Sequence, residues 1–346
     1  MSWHHIEGHD EVVERFRHAI ARGRLASSFL FVGPEGVGKR AFALKLAQAL
    51  LCDRRPEAAL DPCQVCDACR QVAVGTHPDV DRIAKPDDKS FIPLELFLGD
   101  RESRGREGLC YNLSLKPFSG RRKIAIIDDA DYLNEAGANS LLKTLEEPPP
   151  RSVLILIGTS PARQLPTIRS RCQIVRFQPL AEEVVARLLV QQGLAADDRE
   201  AECRARLSEG SLRRAAELAD ADLLAFRQKL FEQLAAPVLP SVEFARDLSQ
   251  FVEAAGKEAP PRRARLRQVM LFAADFYRAR LRQLSGAAQG TDPETWQAAA
   301  MATQRVGGDP ERLSEQLAGC LEAAGQVDRN ANQSTLIESW LDALAR

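Results

Sequence analysis

Two hydrophobic periods divide the chain. Up to about residue 180, short continuously apolar runs alternate with stretches whose apolar residues recur every three or four positions. Beyond that point only the helical period remains. Val12, Val13, Phe16, Ala19 and Ile20 predict an amphipathic helix with Asp10 as its N-cap. Phe29-Leu-Phe-Val32 reads as a strand buried on both faces, Ile124-Ala-Ile-Ile127 as a second buried strand, and Val153–Ile157 and Ile174–Phe177 as two more strands. Helices are predicted from Lys39 through Leu51 and across Ala138, Leu141, Leu142 and Leu145, the second stopped by Pro148-Pro-Pro150. This alternation predicts an α/β domain with a parallel sheet over residues 1–180. A small helical module at 181–225 and an all-helical domain at 226–346 follow, with breaks at Pro237–Pro240, Pro260-Pro261 and Gly286–Pro293.

Composition narrows the function classes. Lys and Arg number 47 against 48 Asp and Glu, a net charge of -1, so no global field points to nucleic acid or an anionic membrane. Any DNA contact must come from a local patch or from partners. The start has neither a basic nor an apolar leader region, and the apolar runs are of strand length, so a soluble cytoplasmic protein is expected. Arg262-Arg-Ala-Arg-Leu-Arg267 is read as a solvated or inter-subunit face, with phosphate contact as the alternative. Gly99–Gly108 is read as a charged surface loop, and His77-Pro78-Asp79 as a turn.

Three groups of residues carry chemistry. Gly33-Pro-Glu-Gly36-Val-Gly38-Lys39 follows a strand and opens a helix, the context of a P-loop that wraps phosphate in backbone N–H groups. Arg40 stands where a Ser or Thr would place a hydroxyl on Mg²⁺, and its charge competes with the cation for the same phosphates. The pocket is then weakly nucleotide-binding or vestigial, and ATP with Mg²⁺ is a doubtful cofactor. Asp128, at the end of a buried strand, is placed as a Mg²⁺ carboxylate. Asp129 follows where a longer glutamate commonly polarises water. Cys63, Cys66 and Cys69 in a CxxCxxC knuckle, with Cys52 upstream, supply four thiolates for a closed, structural Zn²⁺ site within about 52–69. Free buried thiols and an iron–sulfur cluster are the alternatives.

With Leu141-Leu-Lys-Thr-Leu-Glu-Glu-Pro-Pro149 and Ser170-Arg171-Cys172, these motifs resemble the AAA+ clamp-loader ATPase family of bacterial DNA polymerase III. The resemblance covers roughly residues 3–180. It is weaker at Gly210-Ser-Leu-Arg213 and only suggestive at Asn330-Ala-Asn332. It implies an AAA+ P-loop domain with an inserted zinc module, a helical lid at 181–225 and an oligomerising collar at 226–346. It also implies a hetero-oligomer with gamma/tau and delta subunits that loads a sliding clamp on primer–template DNA, away from any membrane. Arg171 then stands as an arginine finger acting in trans. Thr159 or Ser160 resembles the sensor of the γ-phosphate, and Arg213 the lid's sensor arginine. Arg40 and Asp129 resemble the delta-prime branch, whose own ATPase centre does not work. An active gamma/tau-like motor is the second reading, and a stand-alone zinc-containing nucleic-acid binder the third. A polymerase or nucleotidyltransferase label would describe membership of the holoenzyme.

Overall fold

Five short strands, three of them dense in Ile, Leu, Val and Phe, assemble into one parallel sheet. They are β1 (Ser28–Val32), β2 (Val80–Ile83), β3 (Lys123–Ile127), β4 (Ser152–Ile157) and β5 (Gln173–Arg176), in the order β2-β3-β4-β1-β5. The computed structural model describes residues 3–289 and 292–345. Residues 290 and 291 of the predicted break at Gly286–Pro293 therefore lie outside the described residues. Every residue of β1, β3 and β4 is buried, as a sheet covered on both faces requires.

Alternate residues of β1 serve different cores. Phe29 and Phe31 meet Phe16, Phe42 and Phe177 on one face, with neighbouring ring centroids 5.0 to 6.2 Å apart. Leu30 and Val32 join Ala125, Ile127, Leu154 and Leu156 on the other. The first helix runs Asp10–Ala21 with His9, not Asp10, at its N-cap. Asp10 is its first helical residue, while the His9 ring lies 2.6 Å from the Val37 carbonyl oxygen and so braces the P-loop.

Strand β2, Val-Asp-Arg-Ile, is absent from the sequence expectation. It sits at the sheet edge, pairs only with β3, and is half-buried throughout, so no apolar run marks it. Its start is held by the turn His77-Pro78-Asp79. The buried Asp79 carboxylate accepts N–H bonds from Phe118 (2.7 Å) and Ser119 (2.8 Å) and lies 3.6 Å from the Lys123 ammonium. Burial pushes the Asp79 carboxyl up, but these donors and Lys123 outweigh it and hold it below its ordinary value. Asp79→Asn leaves Lys123 buried without its counter-charge. It is expected to destabilise the α/β unit by about 3–5 kcal/mol, measurable by urea denaturation.

The segment 99–108 folds as a tight turn. The Asp100 carboxylate accepts from the N–H groups of Glu102 (3.0 Å) and Ser103 (2.8 Å) and from the Ser103 hydroxyl (2.8 Å).

The chain divides into two compact units, residues 1–185 with 209–213, and residues 186–208 with 214–346. The second is helical among its described residues. Its centre is the 26-residue helix Ala259–Leu284, with Pro260 and Pro261 in the first turn, where a missing N–H costs nothing. That helix buries Leu266, Val269, Met270, Phe272 and Phe276 against the helices Ala221–Leu234, Pro293–Val306 and Pro310–Asp328. The arginine run is engaged inside this unit. Arg262 donates to the Gly256 carbonyl (2.5 Å), Arg263 to Asn330, Arg265 to the Asp220 carboxylate, and Arg267 to Asp328 (3.4 Å). No helix among the described residues is long and apolar enough to cross a membrane.

Candidate functional site

The carboxyl ends of parallel strands gather loops whose residues face a common crevice. After β1 the chain turns through Gly33–Gly38 into the helix Lys39–Leu51, with positive φ at Gly33 (146°), Gly36 (72°) and Gly38 (97°). Two glycines are also demanded by space. A Cβ at Gly33 would lie 2.2 Å from the Phe177 carbonyl oxygen, and one at Gly36 would lie 2.4 Å from the Ser211 hydroxyl. The segment Gly210–Arg213 thus lies directly on the loop. The Leu212 N–H donates to the Gly36 carbonyl (3.1 Å), and the Arg213 guanidinium is 3.6 Å from the Glu35 carboxylate.

Lys39 is buried and turned inward, its ammonium donating to the carbonyls of Gly33 (2.6 Å) and Pro34 (2.5 Å). Burial lowers its pKa, against the nearby negative charge of Glu35, Asp131 and Asp128. Arg40, exposed at the helix start, places its guanidinium Nε 3.4 Å from the Asp128 carboxylate. Arg40 and Asp128, the two positions expected from the sequence to bear on a Mg²⁺, thus form an ion pair with each other. Asp129 has left-handed backbone (φ 55°), and burial and the adjacent Asp128 raise its pKa.

The two hydroxyls after β4 behave differently. Thr159 accepts the Gly33 N–H on its carbonyl (3.0 Å), while its own N–H (2.7 Å) and hydroxyl (2.5 Å) both donate to Asp131. Ser160 caps the turn 161–163 by accepting the Ala162 N–H (3.2 Å). Asp131, which also accepts from Gln164 (2.9 Å), was not among the sequence candidates for the site. Its signal was present as the last residue of Asp128-Asp129-Ala130-Asp131.

Arg171 lies elsewhere. It precedes β5, whose Gln173 pairs with Phe29 at the start of β1, whereas the P-loop leaves the other end of β1. At about 3.3 Å per strand residue the two are separated by about 20 Å along the sheet. Arg171 is exposed and held by Glu146 (2.7 Å) and by the Thr167 carbonyl (3.0 Å). Glu146 belongs to Leu141–Pro149, so the structure joins two motifs that the sequence leaves 25 residues apart.

The four cysteines converge at the far end of the P-loop helix, about 20 Å from Gly38 at 1.5 Å per residue. Cys52 ends that helix, and Cys66 caps the next, Asp67–Val74. The Sγ atoms of Cys52, Cys63, Cys66 and Cys69 all lie within 4.8 Å of one another, and those of Cys52 and Cys66 are 4.0 Å apart. Sulfurs at tetrahedral corners 2.3 Å from a metal lie about 3.8 Å apart. Successive N–H groups already turn onto sulfur, Cys63 to Cys52 (3.5 Å), Cys66 to Cys63 (3.3 Å) and Cys69 to Cys66 (3.4 Å). Four sulfurs with no oxygen donor fit a soft cation in a closed site, so this cluster could hold a metal ion. Trp3 fastens the module, its indole N–H donating to the Leu60 carbonyl (2.8 Å) and its ring packing on Phe42 at 5.1 Å.

Residues 8–181 match the family model described as DNA polymerase III, delta subunit. That span is half the chain and holds the P-loop, the cysteine cluster, Asp128, Leu141–Pro149 and Arg171. The chain belongs to this family. Family relatives include the DNA polymerase III subunit delta' of Bacillus subtilis, 33% identical over 196 residues, which are 56% of this chain and 55% of that protein. The subunit delta' of Pseudomonas aeruginosa is 39% identical over 153 residues, 44% of this chain and 43% of its own length. The subunit tau of Escherichia coli is 31% identical over 259 residues, 73% of this chain and 38% of that protein. The chain thus spans about half or less of these relatives' lengths. Arg213 lies outside the family match.

Proposed function

We propose that the chain is a delta-prime-type subunit of the DNA polymerase III clamp loader, a stator whose own P-loop does not turn ATP over. Its Arg171 then acts on ATP held by a neighbouring subunit. The Arg40–Asp128 ion pair carries this reading. A bound Mg²⁺ would need the Asp128 carboxylate that Arg40 engages, and a guanidinium cannot ligate a cation in the hydroxyl's place. The likeness to two subunits named delta' supports the same branch.

In this reading residues 1–180 form an AAA+ domain with the cysteine cluster as its zinc module. Residues 181–225 form a lid and 226–346 a collar. Arg213 reaches the nucleotide crevice from the lid, and Thr159, oriented by Asp131, is the sensor of a γ-phosphate. The partners are gamma/tau and delta subunits, with the sliding clamp and primer–template DNA engaged through the complex in the cytoplasm. Zn²⁺ on Cys52, Cys63, Cys66 and Cys69 would lock the knuckle; with four protein ligands it leaves no open position for catalysis.

An active gamma/tau-like motor is the second reading, favoured by the intact glycines, Lys39 and Asp128 and by the likeness to tau. Steady-state ATP hydrolysis by the purified chain with Mg²⁺ and primed DNA, beside Lys39→Ala, separates the two. The stator predicts no turnover above the variant. Turnover that Lys39→Ala abolishes makes the chain a motor and ends the stator reading.

A further inference from the structure

A cavity of about 200 Å³ lies in the helical unit, between the end of the helix Ala259–Leu284, the loop 307–309 and the start of the helix Pro310–Asp328. Three of its lining groups stand out chemically. Arg280 is only 7% exposed. Its guanidinium donates to the Gly307 carbonyl (2.5 Å) and reaches the Thr303 hydroxyl at 3.5 Å. Its remaining Nη1 has no hydrogen-bond partner among the described residues. Arg312 lines the same cavity, and among the described residues neither guanidinium lies within 4 Å of a carboxylate. Tyr277, 2% exposed, also lines it, and its hydroxyl has no partner among the described residues.

The three groups act on one another. Both guanidiniums pull the phenol's pKa down against the burial that raises it, and Arg312 adds to the burial that lowers Arg280's own. Among the described residues Asp309 is the one acidic residue of the lining, and its carboxylate caps the helix Pro310–Asp328 by accepting the Glu311 N–H (3.0 Å). A buried cation without a counter-charge is costly, and a second cation beside it adds to the cost. Elsewhere in this unit buried arginines are neutralised, Arg227 by Asp292 and Glu294, and Arg214 by Asp275. The exception is the arginine that faces a cavity.

We propose that Arg280, Arg312 and Tyr277 form a binding pocket for one small oxyanion, a phosphate or carboxylate group that enters from outside the chain. The two guanidiniums supply charge-assisted donors and Tyr277 a neutral one. At about 200 Å³ the cavity has room for one such group together with bound water. The pocket is independent of the P-loop chemistry and of the clamp-loader reading.

Phosphorus NMR line broadening of inorganic phosphate by the full chain tests this at constant ionic strength, with Lys39→Ala in the background to remove the P-loop as a phosphate site. Saturable broadening is expected in that background. Arg280→Gln should weaken it by about tenfold or more and Arg312→Gln by a few-fold, in keeping with the loss of charge-assisted bonds. Arg312 is exposed, so its variant keeps the test valid even if Arg280→Gln perturbs packing. Competition by acetate assigns the pocket to a carboxylate, and phosphate that acetate fails to displace assigns it to a phosphate. Broadening that vanishes with Lys39→Ala alone, or that survives both arginine substitutions, overturns the proposal.

Discussion

Arg171→Ala is expected to leave the chain folded and assembled while slowing ATP turnover by the reconstituted complex by about 10²-fold or more, against the 10³–10⁵ that arginine fingers supply in GTPases. The fold argues that any such role is in trans. Arg171 stands before β5 at one end of the sheet, and the P-loop leaves β1 at the other. Its side chain is exposed and held by one surface carboxylate, Glu146, so the substitution removes little that stabilises the monomer. Arg171→Lys sharpens the test. A lysine keeps the charge but loses the planar fork that spans two phosphate oxygens, so it should recover only a small part of the rate. An unchanged rate in the Arg171→Ala complex, with assembly confirmed by gel filtration, removes the finger from the proposal. Glu146→Gln offers a finer readout. It frees Arg171 from its resting partner without touching its charge, so a positioning role predicts a rate change far smaller than that of Arg171→Ala.

How far the sequence carried this picture depends on what kind of signal each feature leaves. Strands β1, β3 and β4 were legible within one residue at each end because burial on both faces leaves runs of Ile, Leu, Val and Phe, and β5, an edge strand with Gln173 and Arg176 exposed, was legible from Ile174 and Val175. Strand β2 was not, since Val-Asp-Arg-Ile at a half-buried edge carries no such run. The N-cap was misplaced by one residue because the propensity of Asp10 says nothing of the distant Val37 carbonyl that His9 meets. The arginine run shows the same limit. Its charges look solvent-bound or phosphate-bound in one dimension, and only the folded unit reveals Asp220, Asn330 and Asp328 opposite them. At the crevice, residue types announced the chemistry, but pairing decided what the residues do. Arg40 was visible as a departure, and its ion pair with Asp128 required the third dimension. Asp131 was overlooked because an acidic residue near a turn has many uses, and its grip on Thr159 is a matter of geometry alone.

Removing the metal is expected to have the other large effect. Purified from a zinc-replete culture, the chain should carry about one Zn²⁺, and Cys69→Ser should carry near none, since a hydroxyl is a poor ligand for a soft site. Cys69 is fully buried, receives no solvent, and anchors the knuckle to the P-loop helix through the Gln48 side chain, which donates to the Cys69 carbonyl (2.8 Å). Burial pushes its thiol up, whereas at Cys52 and Cys63 burial is outweighed by backbone N–H donors that hold both thiols below their ordinary value. Beyond side-chain contacts such as Arg122 to Glu57 (2.9 Å) and Trp3 to the Leu60 carbonyl (2.8 Å), residues 53–66 have a single three-residue turn as their regular structure. Metal binding in such a segment is largely folding free energy. Chelation or Cys69→Ser should therefore expose 53–66 to protease and release Trp3 from Leu60. The sheet should persist, because its core of Phe29, Phe31 and Phe42 lies on strand and helix rather than on the knuckle. Limited proteolysis read by mass spectrometry, with metal content by plasma emission, checks both halves. A Cys69→Ser chain that retains stoichiometric zinc and the parent cleavage pattern removes the metal from the account. Global unfolding on chelation would instead mean that the knuckle supports the P-loop helix itself, making the two sites one cooperative unit joined through Lys39–Leu51.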